Sequence, residues 1–225
     1  MVEYYEAYDE RYKQIHALAL QWAGDVASPI VAKTIAAYGV RPDAKLLEIG
    51  CGEGRDARPL LEQGFDLLAT DVSPEAIAHC RARSPEFSER FAVLDCVTDE
   101  LDARFDFVYA VAVVHMLLDD AHRVAFYRFI REHLSEEGVA LICTMGDGEM
   151  EHCGDASAAR QKRERWHEPS GRTLMVTDIP CRIVNFCTFE REIERSGLAV
   201  LERGMTAIEP EFSQVMYAVV ARQAR

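Results

Sequence analysis

The chain has 225 residues, 49% of them hydrophobic, and a formal charge of −13 at pH 7, a field that disfavours nucleic-acid backbones and suits a small neutral or cationic partner. No charged-then-apolar leader and no apolar run approaching ~18 residues occurs, so a cytoplasmic chain is expected rather than a secreted or membrane-spanning one. Seven cysteines without a repeated Cys-x-x-Cys read as free thiols in a reducing compartment.

Residues 1–37 carry helical periodicity, with Tyr5, Tyr8 and Tyr12 at three- and four-residue spacings and hence on one face. That face either packs on the body or lids a pocket. A break at Val40–Ala44, where Pro42 ends the helix, leads into the strand Leu46-Leu47-Glu48-Ile49. Gly50-Cys51-Gly52-Glu53-Gly54 follows, then a helical pattern from Ala57 to Gln63. Glycines let a ligand lie against bare backbone, and the helix start offers unpaired N–H groups. The spacing lacks the third glycine of dinucleotide binders, and no Lys-Ser/Thr pair is present to make a P-loop. Glu48 would repel a pyrophosphate but suits a cationic amino-acid group.

Leu67 to Ser73 is a second strand carrying Asp71, about 20 residues beyond the glycines, where a carboxylate accepts ribose hydroxyls. Ser73-Pro74-Glu75-Ala76 caps a helix to about Arg83, and Ser84-Pro85 turns the chain into a third strand, Phe91–Leu94, ending in Asp95-Cys96. Phe105 to His115 reads as a fourth strand and Asp119–Leu134 as an amphipathic helix, with Gly138 as its C′ residue. Val139–Thr144 is a fifth strand. Strands alternating with helices imply a doubly wound α/β sheet, with ligands at the carboxyl ends of the strands. Residues 146–178 read as an irregular stretch over the pocket mouth. A helix from Phe189 to Ser196, stopped by Gly197, and strands near Ala199–Met205 and Met216–Ala221 complete the chain.

Glu48-Ile49-Gly50-Cys51-Gly52-Glu53-Gly54 closely resembles the first motif of the class I, Rossmann-like, S-adenosylmethionine (SAM) dependent methyltransferases, and the second, third and fourth strands resemble the motifs that follow it there. The resemblance implies a mainly parallel seven-stranded sheet with an antiparallel last strand. It implies a single domain over 1–225: a helical lid at 1–40, a SAM-binding core at 44–145, an inserted loop or substrate cap at 146–180, and a C-terminal helix and strands at 181–225. Tyr8-Asp9-Glu10-Arg11-Tyr12 resembles the N-terminal segment that folds over SAM in small-molecule members, where Arg or Tyr donates to the methionine carboxylate. The expected cofactor contacts are thus Tyr8, Arg11, Tyr12, Glu48, Gly50, Cys51, Gly52, Gly54, Asp71, Val72, Asp95, Cys96 and Ala112, with S-adenosylhomocysteine as product.

Methyl transfer from a sulfonium asks mainly for alignment and a free lone pair on the acceptor, with a base of use for a hydroxyl. His115, at the end of the fourth strand, is the catalytic candidate, the alternative being a histidine that caps the strand. Tyr5, His115, Asp147, His152 and Arg182 are the expected substrate contacts. Residues 147–155 are dense in acids, but no pair has metal-ligand spacing, so no metal is expected; the stretch is either a solvated loop or a seat for an amine. Arg160, Lys162, Arg163 and Arg165 read as a solvated helix face. Cys153, Cys181 and Cys187 do not match the spacing of arsenic methyltransferases. The absence of Asn-Pro-Pro-Tyr speaks against nucleobase or protein-glutamine substrates. Gly54-Arg55-Asp56-Ala57 with Leu60 and Gly64-Phe65 also resembles the thiol, thiopurine and tellurite branch. The function expected is methylation of an amine, thiol or hydroxyl of a small molecule. A SAM-binding regulatory protein, an aminopropyltransferase-like enzyme and an RNA methyltransferase stand as alternatives.

Overall fold

The computed structural model describes residues 5–159, 161–210 and 212–223. Its centre is a seven-stranded sheet built from β1 (Lys45–Ile49), β2 (Asp66–Asp71), β3 (Phe91–Val93), β4 (Phe105–Val111), β5 (Leu134–Met145), β10 (Leu198–Ile208) and β11 (Phe212–Arg222), in the order β10-β11-β5-β4-β1-β2-β3. The pairs among β1 to β5 are parallel, whereas β11 runs antiparallel to both β5 and β10. The alternating side chains of a strand reach opposite faces, and both faces are buried. Leu47, Val108, Ala140 and Ile142 meet α5 (Asp120–His133) and α6 (Phe186–Arg195) on one side. Leu46, Phe107, Leu141 and Cys143 meet α2 (Pro29–Ala37), α3 (Ala57–Glu62) and α4 (Pro74–Arg83) on the other. Among the described residues, no helix is long and apolar enough to cross a membrane.

Several local expectations are corrected. The N-terminal helical stretch is two helices, α1 (Glu6–His16) and α2, separated by residues 17–28; its first four residues, Tyr4 among them, lie outside the described residues. Pro29 opens α2, where its missing N–H costs nothing, and Ser28 donates from N (2.5 Å) and Oγ (2.9 Å) to Asp56. β4 ends at Val111; Ala112 takes a left-handed φ of 58°, and Val114–Met116 form a 3₁₀ turn. His115 therefore stands on a turn rather than at a strand end. α5 ends at His133 and β5 begins at once, so Gly138 lies inside a strand. A Cβ there would come 2.9 Å from the Phe105 carbonyl oxygen, so this glycine serves close strand packing and does not stop a helix. α6 starts at Phe186, capped by Asn185, whose side chain accepts from the Thr188 N–H. Finally, residues 146–178 are not irregular. β6 (His152–Cys153) pairs with β9 (Arg182–Ile183), and β7 (Lys162–His167) makes an antiparallel hairpin with β8 (Arg172–Thr177). Lys162, Arg163 and Arg165 thus lie on a strand; Arg160 is outside the described residues.

Candidate functional site

The carboxyl ends of β1, β2 and β4 open into a cavity of about 440 Å³. Its floor is the glycine turn. Gly52 has φ +53°, and a Cβ on it would sit 2.8 Å from the Tyr12 hydroxyl, so a side chain there would fill the cradle. The Gly52 N–H donates to Asp71 Oδ2 (2.8 Å) and the Ser73 N–H to Asp71 Oδ1 (2.8 Å), which holds the carboxylate at the rim of β2. Burial pushes its carboxyl up to about 6, against these hydrogen bonds that favour the ionised form. Glu48 lies deeper, accepting from the Tyr109 hydroxyl (3.1 Å); burial, then the nearby Asp56, raise its pKa.

Helix α1 lies across this floor. Tyr8 donates to the Met116 carbonyl (3.2 Å), and Ser73 Oγ donates to Asp9 (2.7 Å), tying α1 to the start of α4. The Arg11 guanidinium donates from Nε (3.0 Å) and Nη2 (2.6 Å) to the Thr177 carbonyl in β8 and lies 4.5 Å over the Trp22 ring. Burial, then the charge of Arg165, lower its pKa to about 10, so it stays a cation at neutral pH. The far wall is the hairpin end, Arg165 to Pro169. There the His167 ring is fixed between Ser170 Oγ and the Gln21 carbonyl, with Trp22 5.8 Å away.

His115 faces the same cavity. It is 3% exposed and its Nδ1 has no hydrogen-bond partner. Burial, then the charge of Arg123, push its pKa down to about 3, so the imidazole is neutral across the working range.

Of the expected site residues, Tyr8, Arg11, Tyr12, Glu48, Gly50, Cys51, Gly52, Asp71, Val72, Cys96, Ala112 and His115 line this cavity together. Six do not. Gly54 is turned against Cys80 and Phe91 behind the loop. Asp95 caps its own turn, accepting from the Val97 N–H (2.8 Å), while its neighbours Leu94 and Cys96 face inward. Tyr5 borders a separate shallow pocket with Asp9 and Lys13. Asp147 caps the N–H groups of Glu149 and Met150. His152 is exposed on β6, and Arg182 is engaged by Asp120, the Leu118 carbonyl and Glu192. The residues that motif reading missed, Trp22, Met116, Trp166 and His167, belong to no motif: Trp22 lies on the connection between α1 and α2, Met116 on the 3₁₀ turn after β4, and Trp166 and His167 at the end of the polar strand β7.

Comparison with known proteins adds to this geometry. Residues 47–140, from β1 into β5, match the model of a methyltransferase domain. A ubiquinone biosynthesis O-methyltransferase of Rickettsia conorii is 29% identical over 102 residues, 45% of this chain and 35% of its own length. The chain spans about a third to a half of the length of the curated relatives it matches. Among solved structures, the CcbJ methyltransferase from Streptomyces caelestis superposes with a TM-score of 0.70 at 17% identity, covering 96% of this chain and 99% of that one. The glycopeptide N-methyltransferase MtfA complexed with SAM gives 0.63 at 21% identity, covering 88% of each. The strand order and the glycine turn facing a cavity at the sheet's carboxyl edge agree with the domain match: residues 47–140 are similar to a methyltransferase domain, and the chain as a whole has the fold of solved SAM-dependent methyltransferases.

Proposed function

We propose that the chain transfers the methyl group of SAM to a small-molecule acceptor, releasing S-adenosylhomocysteine. The observation that carries this reading is the meeting, in one cavity, of the glycine turn, the Asp71 carboxylate and the neutral His115 ring. The cradle over Gly52, which a Cβ would fill, and the acceptor oxygens of Asp71 fit a nucleoside with free ribose hydroxyls. Cys96 and Val72 flank the base; Tyr8, Arg11 and Tyr12 close over the amino-acid end, and Arg11 supplies the cation for its carboxylate. In this reading residues 1–40 act as the lid and 146–180 as the acceptor's cap.

SAM supplies an electrophilic methyl on a sulfur that leaves uncharged. The chain's part is to exclude water under α1 and the β7–β8 hairpin and to align an acceptor whose lone pair is free. A ring with a pKa near 3 takes a proton poorly. His115 therefore orients an acceptor O–H or N–H through its lone pair more than it deprotonates it. The acceptor side is walled by Trp22, Trp166, Met116 and Ile179, which suits a compact, partly apolar molecule.

Calorimetric titration with SAM and S-adenosylhomocysteine, followed by a screen of thiols, amines and phenols, tests the reading. Both ligands bind the wild type, and one acceptor class turns over. Gly52→Arg, which drives a side chain into the Tyr12 hydroxyl, abolishes binding. Unchanged affinity in that variant would refute the assignment of the glycine turn.

A further inference from the structure

Beside the cavity, three elements bring three ligand-bearing side chains together: His16 at the end of α1, Glu53 in the glycine turn and His79 in α4. One ligand atom from each lies within 4.8 Å of the other two. The surroundings are arranged as those of a metal site are. His16 Nδ1 lies 2.8 Å from Glu75 Oε1, a carboxylate–imidazole pair that fixes the ring and leaves Nε2 as the ligand nitrogen. That Nε2 points at Glu53, 2.9 Å away. The Glu53 carboxylate is itself oriented by the N–H groups of Trp22 (2.8 Å) and Ala23 (3.0 Å) and keeps lone pairs to spare. His79 supplies the remaining sign: its Nε2 is buried with no hydrogen-bond partner, a condition that buried nitrogens rarely tolerate without an unseen partner.

We propose that His16, Glu53 and His79 form a binding site for a divalent transition metal, zinc foremost, with water in the fourth position. Two imidazole nitrogens and one carboxylate oxygen are the ligand types of open, four-coordinate zinc sites, and the absence of a thiolate among them disfavours softer ions. The His16 and His79 rings now stack 4.1 Å apart at 13°, so the ion turns them out of this stack to aim both nitrogens at it. Its position joins the lid helix, the glycine turn and α4. The ion acts as a brace here and takes no part in methyl transfer.

The test uses chelator-treated full-length protein in a Cys153→Ser, Cys187→Ser background, which removes the two exposed thiols, dialysed against zinc or cobalt(II). The parent retains one zinc per chain, gains thermal stability from it, and with cobalt shows the visible absorption of a four-coordinate ion. His79→Ala loses all three signs, and Glu75→Gln, which alters only the group orienting His16, binds zinc about 10- to 100-fold more weakly. His79→Gln, closer in shape, repeats the measurement should the alanine variant fail to fold by circular dichroism. Zinc binding of equal affinity in the parent and a folded His79 variant, or no retained zinc in the parent, overturns the proposal.

Discussion

At Asp71 one carboxylate serves two ends: it pins the Gly52 and Ser73 N–H groups, and it is the proposed ribose acceptor. Burial holds its carboxyl near 6, and only the ionised form accepts from two hydroxyls. Affinity for S-adenosylhomocysteine should therefore be level above neutrality and fall below about pH 6, approaching tenfold per pH unit as protonation completes. Calorimetry across that range checks the slope, and Asp71→Asn, which cannot titrate, should bind weakly with no such break. His115 shows the complementary case. Its folded pKa, about 3, lies below the unfolded value near 6.5. The unfolded chain thus takes the proton first, and this contribution to stability is complete above about 6.5 and lost as pH falls toward 3. His115→Gln should flatten the acid side of the stability profile by up to about 1.4 kcal/mol per pH unit, measured by urea denaturation. In the metal-free protein His16, which burial would lower but whose partners Glu53 and Glu75 raise above the usual histidine value, acts with the opposite sign: its contribution is present below about 6.5 and is lost as pH rises through the folded value.

Among the elements, α5 governs the turn that presents His115. Arg123, 1% exposed, donates from Nη1 to the carbonyls of Val114 (2.6 Å) and Leu117 (3.3 Å), and from Nε and Nη2 to Glu192 in α6 (3.0 and 2.6 Å). Arg123→Met removes a buried donor from those carbonyls and from Glu192, which keeps the Tyr127 hydroxyl (3.2 Å) and Arg182 (3.7 Å). It should lower unfolding stability by roughly 3–5 kcal/mol, the usual effect of breaking a buried pair, and the double variant with Glu192→Leu should recover part of that in the same urea titration. The elements that place the cavity floor were readable because their signals are local: buried runs in β1 and β2, glycines in the turn, Ser73-Pro74 at the head of α4. The hairpin was not. Lys162 to His167 is polar at nearly every position, so neither a two-residue nor a 3.6-residue period shows, and the strand is defined by its partner β8. Gly138 misled for a related reason, since a glycine after two glutamates looks like a helix stop while its real constraint is the backbone of β4. The wall residues and the His16–Glu53–His79 trio depend on long-range contacts, such as the one joining His167 to Gln21, that no spacing rule records.

Over the whole molecule, the cavity's cover is drawn from both ends of the fold yet fastened into one piece. Thr177 of β8 accepts Arg11 at its carbonyl, accepts the Gln14 amide at Oγ1 (2.8 Å) and donates its N–H to Gln14 Oε1 (2.8 Å). Gln14→Ala, outside the cavity, should loosen this joint, seen as faster limited proteolysis within residues 146–180 and a raised KM for SAM with the fold unchanged by circular dichroism. In the proposed function this joint makes helix and hairpin a single cover, so both reactants would share one doorway and Gln14→Ala should raise the KM of the acceptor together with that of SAM.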